Sequence, residues 1–229
     1  MKQAITLDGK SILVTGSPGF IGAWLVIRLL REMHSGVIVS LDNMNDYYDP
    51  ALKEYRLGLI EEAAKNSPVQ HVFIKGSIAD KSLVQELFRK YRFSVVVSLA
   101  AQAGVRYSID HPDVYIESNI IGFYNILEAC RHYPVEHLVY ASSSSVYGGN
   151  KKVPFSTSDK VDNPISLYAA TKKSDELLAH SYSKLYNIPA QVCDSLQFMA
   201  RPVGRTCSTI PQRKSWQQAR PYRFSITAI

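Results

Sequence analysis

The sequence predicts an α/β protein with a doubly wound parallel sheet. Short apolar runs alternate with longer helix-like segments, and a glycine-rich turn follows the first run. Apolar runs of this kind are typical of parallel strands whose two faces are both covered by crossover helices. The predicted strands are residues 11–15, 36–41, 71–74, 93–99 and 137–141, and the helix-like segments between the later strands are residues 52–65, 82–91 and 114–130.

The first strand leads into the glycine-rich turn and then into a helix. Gly16 permits a tight turn, Gly19 lets the backbone approach a pyrophosphate, and Gly22 allows the helix to pack closely. The start of that helix, with Phe20 and Ile21, offers backbone amides and a positive dipole to phosphates. The spacing differs from the Gly-x-Gly-x-x-Gly form, so the turn alone is also compatible with a structural loop.

The second strand ends in an acidic residue. Asp42 lies 20 residues beyond Gly22, which is the distance expected for a carboxylate that binds a ribose. Its charge favours NAD and repels the 2′-phosphate of NADP. Acidic residues are common in loops after strands, but after this turn Asp42 indicates a dinucleotide site.

Tyr168 and Lys172 are four positions apart, so their side chains share one face of a helix. A lysine ammonium one turn away stabilises a tyrosine phenolate and brings the tyrosine pKa toward the range of a working base. The same spacing occurs in ordinary amphipathic helices. The spacing therefore indicates a catalytic pair only when other motifs of the sequence support it.

A run of four serines, residues 142–145, follows the fifth predicted strand. Open α/β sheets bind ligands at the carboxyl ends of their strands. A serine run is commonly only a polar loop. Because this run precedes Tyr168 and Lys172, it is a candidate for binding a reacting hydroxyl beside a nicotinamide ring.

Together these segments resemble the NAD-dependent sugar-nucleotide epimerase/dehydratase family, a group of extended short-chain dehydrogenases/reductases. Within that family the chain is most similar to the UDP-glucuronate 4-epimerases. The resemblance covers nearly all of residues 7–190. The matching segments are residues 15–22, 46–49, 52–53, 100–108, 118–119, 125–128, 141–148 and 168–172.

The resemblance implies a redox-neutral epimerisation of UDP-glucuronate to UDP-galacturonate. Tyr168 would take the proton of the sugar C4 hydroxyl while hydride passes from C4 to bound NAD. The resulting 4-keto sugar would rotate and take the hydride back on its other face. Ser143 matches the position that hydrogen-bonds the C4 oxygen, and Lys172 would also hold the nicotinamide ribose.

Other site residues also follow from the resemblance. Ser144 and Ser145 match positions that face the C5 carboxylate of the sugar, and Arg106 is a further candidate for that role. The expected NAD-binding residues are Gly16, Gly19, Phe20, Ile21, Gly22, Asp42, Asn43, Ser77, Ile78, Ala100, Gln102, Asn119, Tyr168 and Lys172. Ser77 departs from the family, which generally has an aspartate that contacts adenine there.

Related reactions are distinguished by the residues after Ser143. Dehydratases of this group carry an Asp-Glu acid/base pair there, whereas this chain has Ser144 and Ser145, so dehydration is disfavoured. Decarboxylation stays open, because a 4-keto uronic acid is a β-keto acid and loses CO2 readily. A non-catalytic NAD-binding fragment is the alternative from another class.

Two regions are expected along the chain. Residues 1–190 form a Rossmann-like NAD-binding domain with the catalytic serine, tyrosine and lysine. Residues 191–229 show no helical or strand period and do not resemble the family, so its C-terminal substrate domain is expected to be truncated. This tail has six Lys/Arg and one acidic residue, whereas residues 1–190 have 20 and 19.

A shift of reading frame accounts for the tail. Permitted codons for residues 190–201, read one nucleotide earlier, encode Thr-Gly-Leu-Arg-Phe-Phe-Thr-Val-Tyr-Gly-Pro, which is the continuation expected of the family. We therefore expect that one nucleotide was lost near the Ala190 codon, in the gene or in its sequencing. Residues 191–229 would then be out of frame.

The amino-acid composition limits the partners, metals and cellular location that are expected. The formal net charge of +6 comes mostly from the tail, so a nucleic-acid partner is not expected. The six histidines and three cysteines form no ligand pattern, so no metal is expected. No long apolar run and no signal peptide occur, which predicts a cytoplasmic protein without membrane insertion. A UDP-sugar is the expected partner, and a homodimer is possible.

Overall fold

The computed structural model of the chain describes residues 6–152, 154–156 and 158–193. It contains a six-stranded, fully parallel sheet with the strand order β3-β2-β1-β4-β5-β6. The strands are β1 (Ser11–Thr15), β2 (Val37–Asp42), β3 (Gln70–Lys75), β4 (Val95–Ser98), β5 (His137–Ala141) and β6 (Ala190–Cys193). The predicted doubly wound sheet is confirmed.

Helices connect the strands. They are α1 (Phe20–Glu32), α2 (Pro50–Lys65), α3 (Lys81–Tyr91), α4 (Tyr107–Asp110), α5 (Pro112–Tyr115), α6 (Gly122–His132) and α7 (Leu167–Tyr186). A π-helical segment, Ile116–Ile121, joins α5 to α6, and a 3-10 turn, Ser144–Tyr147, follows β5. The single helix predicted over residues 114–130 is thus divided by the π-helical segment.

The core lies on both faces of the sheet, because successive side chains of a strand point in opposite directions. Leu13 of β1 belongs to a cluster with Phe88 and Ile126, whereas Ile12 and Val14 belong to one that contains residues of α1 and α2. Burial on both faces explains why the central strands are continuous apolar runs.

The strand order reverses between β2 and β4, which both pair with β1. At this switch point the loops after β1 and β4 diverge and leave a crevice at the carboxyl edge of the sheet. Thr15 ties the two strand ends together, since its Oγ1 accepts hydrogen bonds from the backbone nitrogens of Leu99 and Ala100, each at 3.1 Å.

The sixth strand corrects one expectation. Residues 191–229 show no strand period in the sequence, but Gln191, Val192 and Cys193 continue β6 from Ala190 and pair in parallel with β5. Three residues are too few to show a period, and only the register with β5 defines them as a strand. Residues 194–229, to which the rest of that expectation refers, lie outside the described residues.

In the described part of the chain, no helix combines the length and the apolar character needed to cross a membrane.

Candidate active site

The glycine turn between β1 and α1 needs glycine for steric reasons. Gly16 has a φ of +72°, and a Cβ there would lie 2.8 Å from the backbone nitrogen of Ala100. A Cβ on Gly22 would collide with the carbonyl oxygen of Gly16. The turn therefore brings bare backbone to the N-terminus of α1, where Gly16 and Gly19 line the crevice.

Asp42 lies at the carboxyl end of β2 and is held by two hydrogen bonds to its Oδ1. The Met44 backbone nitrogen donates at 2.7 Å and the Lys53 ammonium at 3.1 Å. Lys53 comes from the first turn of α2 and also donates to Asn45 Oδ1 at 2.8 Å. Both charged groups are largely buried. Among the described residues these bonds leave Oδ2 available to a hydroxyl in the crevice.

The crevice collects many of the predicted cofactor residues. Those that line it are Gly16, Gly19, Asp42, Asn43, Ser77, Ile78, Ala100 and Gln102. Phe20, Ile21 and Gly22 lie beside it in the first turn of α1. The crevice is also lined by Asn45, Tyr47, Tyr48 and Lys53, which the sequence analysis did not assign. A second cleft, between α1 and α2, is lined by none of the predicted residues.

Asn119 connects the loop after β4 with α7. Its Oδ1 accepts from the Gln102 backbone nitrogen at 2.8 Å. Its Nδ2 donates to the Gln102 carbonyl at 3.1 Å and to Thr171 Oγ1 at 3.0 Å. The π-helical segment places this buried amide between the crevice and the helix that carries Tyr168.

Tyr168 lies in the first turn of α7, which Ser166 caps by accepting from the Ala169 nitrogen at 3.1 Å. The ring of Tyr168 packs edge-on against Tyr115, with centroids 6.1 Å apart. Burial, and next the neighbouring Tyr47, raises the pKa of Tyr115 to about 12. Tyr115 therefore stays protonated and donates to the carbonyls of residues 103 and 104 beside the crevice.

Lys172 is buried one turn further along α7. Its ammonium donates to Asp175 Oδ2 at 2.8 Å, and Asp175 is also buried. Burial raises the pKa of Asp175 to about 6, although the Lys172 charge opposes the rise. Asp175 was not predicted from the sequence as a site residue. Its position seven residues after Tyr168, on the same helical face, was the available signal.

The serine run, residues 142–145, is hydrogen-bonded to α7. Ser142 donates to Glu176, which also pairs with Lys173. Ser143 caps the 3-10 turn, because its Oγ accepts from the Ser145 nitrogen at 3.2 Å. Since α7 packs against that turn, Ser143 and Tyr168 lie on neighbouring elements.

The remaining predicted substrate residues are less enclosed. Ser144 and Ser145 are half-buried in the 3-10 turn. Arg106 is exposed at the N-cap of α4 and does not line the crevice. Within the ranges that the structure describes, no group of His, Cys, Asp or Glu could hold a metal ion.

The glycine turn, the carboxylate after β2 and the reversal of strand order define a Rossmann-like dinucleotide-binding domain. The sequence matches one family model within this class. Residues 13–205 match the model described as GDP-mannose 4,6 dehydratase, and the chain belongs to that family of epimerases and dehydratases. The match thus includes residues 191–205 of the segment that was expected not to resemble the family.

Curated relatives include two that are about half identical to this chain. Protein CapI of Staphylococcus aureus is 51% identical over 178 residues, which are 78% of this chain and 51% of that protein. UDP-glucuronate 4-epimerase 4 of Arabidopsis thaliana is 49% identical over 185 residues, 80% of this chain and 40% of that protein. The chain thus spans about half the length of the curated relatives that it matches.

Solved structures share the fold. The UDP-glucuronic acid 4-epimerase of Bacillus cereus, in complex with UDP-glucuronic acid and NAD, has a TM-score of 0.68 and 34% identity over 80% of this chain and 55% of that one. The UDP-glucose 4-epimerase of Thermus thermophilus, in complex with NAD, has a TM-score of 0.64 and 32% identity over 80% of this chain and 53% of that one.

Proposed function

We propose that this chain carries the NAD-binding and catalytic half of a UDP-sugar 4-epimerase, and that the sugar is UDP-glucuronate. The observation that carries the proposal is the placement of Tyr168, Lys172 and Ser143 on neighbouring elements. Asn119 links α7 to the crevice, because it bonds Thr171 of α7 and the backbone of Gln102, which lines the crevice together with the glycine turn and Asp42. Tyr168, Lys172 and Ser143 do not themselves line that crevice.

The residues around the crevice fit NAD. Gly16, with its positive φ, and Gly22, which packs against the Gly16 carbonyl, keep the turn tight at the N-terminus of α1, whose backbone amides would bind a pyrophosphate. The Asp42 carboxylate suits a ribose diol and disfavours a 2′-phosphate. Bound NAD would supply the hydride acceptor. The chain itself would orient the sugar, exclude water and move the hydroxyl proton.

Tyr168 would act as the general base. It would take the proton of the C4 hydroxyl as that carbon is oxidised, and return it when C4 is reduced on its other face. The Lys172 ammonium would stabilise the phenolate, and Ser143 Oγ would donate a hydrogen bond to the C4 oxygen. Protons and electrons balance within one cycle, so no net redox change occurs.

Epimerisation is favoured over dehydration by the groups that follow β5. Dehydration needs an acid/base pair near C5, and Ser143 is followed by Ser144 and Ser145. The carboxylate that reaches this run, Glu176, is already bonded to Ser142 and Lys173. UDP-glucuronate is supported by the named relatives and by these serines, which we assign, with Arg106, to the sugar carboxylate.

We also propose that residues 191–229 are read out of frame after the loss of one nucleotide near the Ala190 codon. The DNA across codons 188–195 decides this point. A frame-shifted reading that encodes the family continuation supports the proposal, whereas codons that cannot encode it overturn the proposal.

The activity test uses the chain as it stands and the frame-corrected protein, each given UDP-glucuronate and NAD, with products followed by NMR. We expect the frame-corrected protein to form UDP-galacturonate. Tyr168→Phe should lower its turnover by about 100-fold or more, whereas Tyr55→Phe, at an exposed tyrosine, should not. A pentose product with CO2 release, or NAD binding without turnover, would contradict the proposal.

A homodimer is a further part of the proposal. Apolar side chains are exposed on the π-helical segment, α6 and α7, among them Ile121, Tyr124, Leu177 and Leu185. Sedimentation of the frame-corrected protein measures the oligomeric state, and a monomer at micromolar concentration would contradict this part.

A further inference from the structure

Tyr168, Lys172 and Asp175 lie at positions i, i+4 and i+7 of α7, so the three side chains follow one another along one helical face. The Lys172 ammonium lies 2.8 Å from Asp175 Oδ2, and the two side chains are only 8% and 2% exposed. Asp175 Oδ1 has no hydrogen-bond partner among the described residues. The lysine expected to tune Tyr168 thus has a close, poorly solvated counter-ion.

We propose that Asp175 is a third ionisable member of the Tyr168–Lys172 base, and that its carboxylate raises the pH at which this pair gives up a proton. Asp175 would act as a positioning residue, through Lys172. The catalytic meaning of this inference rests on the proposed function, but the titration itself does not require turnover.

The charge of the cluster gives the direction of the effect. When Asp175 is ionised, Tyr168 is neutral and Lys172 is charged, the three side chains have no net charge. Losing one proton then gives them a net charge of −1. When residue 175 is neutral, the three side chains have a net charge of +1, and losing one proton makes them neutral. Because burial disfavours net charge, the variant with a neutral residue at 175 loses its proton at lower pH than the wild-type chain. This holds whether the proton comes from the tyrosine or from the lysine.

The size of the effect follows from Coulomb's law. A unit charge at about 10 Å in a medium of effective dielectric constant about 20 shifts a protonation equilibrium by about one pH unit. The raised pKa of Asp175, about 6, leaves the carboxylate charged at the higher pH where a tyrosine–lysine pair titrates. The carboxylate is therefore present throughout the measurement.

Other ionisable groups also lie near this face of α7. On α7, Glu176 bonds Ser142 and Lys173. Burial, followed by Glu176 and Asp175, raises the pKa of Tyr140 on β5 to about 12. Ionisable residues occur on all the other elements that pack against α7: Tyr107 and Asp110 on α4, Asp113 and Tyr115 on α5, Glu117 on the π-helical segment, Tyr124, Glu128, Cys130, Arg131 and His132 on α6, Tyr147 on the 3-10 turn and Cys193 on β6.

The experiment labels the ring Cζ of tyrosine with ¹³C in the full chain and follows the Tyr168 signal, assigned with Tyr168→Phe, against pH. We expect Asp175→Asn to lower the midpoint of the pair by about one pH unit. Asp175→Glu, which keeps the charge, should restore the wild-type midpoint. An unchanged or higher midpoint in Asp175→Asn would overturn the inference, because a purely structural role of Asp175 would leave the midpoint in place.

A measurement on the wild-type chain covers the case in which Asp175→Asn does not fold. Labelled aspartate should show the Asp175 carboxyl titrating near its raised pKa of about 6, and the Tyr168 signal should show a small step over the same range. Absence of that step would overturn the inference. A shifted midpoint without any epimerase activity would support the role of Asp175 while refuting the proposed function, so the two failures are distinguishable.

Discussion

Two buried lysine–aspartate pairs stand at the two ends of the site. Lys53 and Asp42 line the crevice and lie 3.1 Å apart, and Lys172 and Asp175 lie in α7, 2.8 Å apart. The first pair joins two elements separated in sequence, and each partner has an additional hydrogen bond. The second pair lies within one turn of α7, and one carboxylate oxygen has no partner in the part of the chain described.

This difference indicates two uses of the same chemistry. Burying a charge costs much free energy unless its remaining lone pairs and protons are also bonded. The Asp42 pair meets that requirement better and borders an open crevice, so it orients a carboxylate. The Asp175 pair does not, so its protonation state is sensitive to its surroundings, as its raised pKa shows.

The largest loss of stability is expected when the lysine of a buried pair is replaced. Lys172→Met leaves Asp175 buried without a counter-ion and should lower the free energy of unfolding by about 3 kcal/mol. Lys53→Met should cost about 1 kcal/mol, since Asp42 keeps the Met44 amide and access to water. Urea unfolding followed by circular dichroism measures both.

The control for this comparison is Lys65→Met, which removes an exposed pair with Glu62 and should change little. Equal losses in the two buried pairs would show that the unpartnered oxygen of Asp175 has no energetic consequence.

A second, smaller effect tests the proposed cofactor role of the pair formed by Asp42 and Lys53. Asp42→Asn should weaken NAD binding by about 30-fold, or about 2 kcal/mol, because a charged hydrogen bond to the ribose is lost. Lys53→Met should weaken it less, and Glu62→Gln, at an exposed site, should have no effect. Isothermal titration calorimetry with NAD measures the affinities. Unaltered affinity in Asp42→Asn would remove Asp42 from the cofactor site.

The smallest effect concerns the connection between the two ends. Thr171→Val removes the acceptor of the Asn119 amide and should destabilise the chain by about 1 kcal/mol. Thr171→Ser keeps the hydroxyl and should retain most of the stability. Urea unfolding again provides the measurement. Unchanged stability in Thr171→Val, which keeps the methyl group and loses only the hydroxyl, would show that this hydrogen bond contributes nothing to stability.

Much of the fold was predictable because its signals are local. Residues 11–15 and 137–141 were predicted as strands, and β1 and β5 have these bounds. The glycine turn was predictable because its limits lie within the turn, since Gly16 has a φ of +72° and a Cβ on Gly22 would collide with the carbonyl oxygen of Gly16. In contrast, β6 was missed, since its short sequence has no period and only β5 defines it.

The site was predictable in part, for a related reason. Tyr168 and Lys172 were found by a spacing within one helix, and Asp42 by its distance from the turn. Lys53 was not assigned, because nothing in the sequence shows that the first turn of α2 folds back onto Asp42. Asp175 has the right spacing, but its burial and its ion pair depend on the elements packed around α7.

The sequence by itself determined the class of fold, the glycine turn and the residue types expected to perform the chemistry, since helical and strand periods and glycine conformation are properties of short segments. The tertiary structure decided which charges meet and how far each is removed from water. Those quantities depend on the packing of distant segments, and they determine whether a lysine beside a tyrosine acts alone or shares its charge with Asp175.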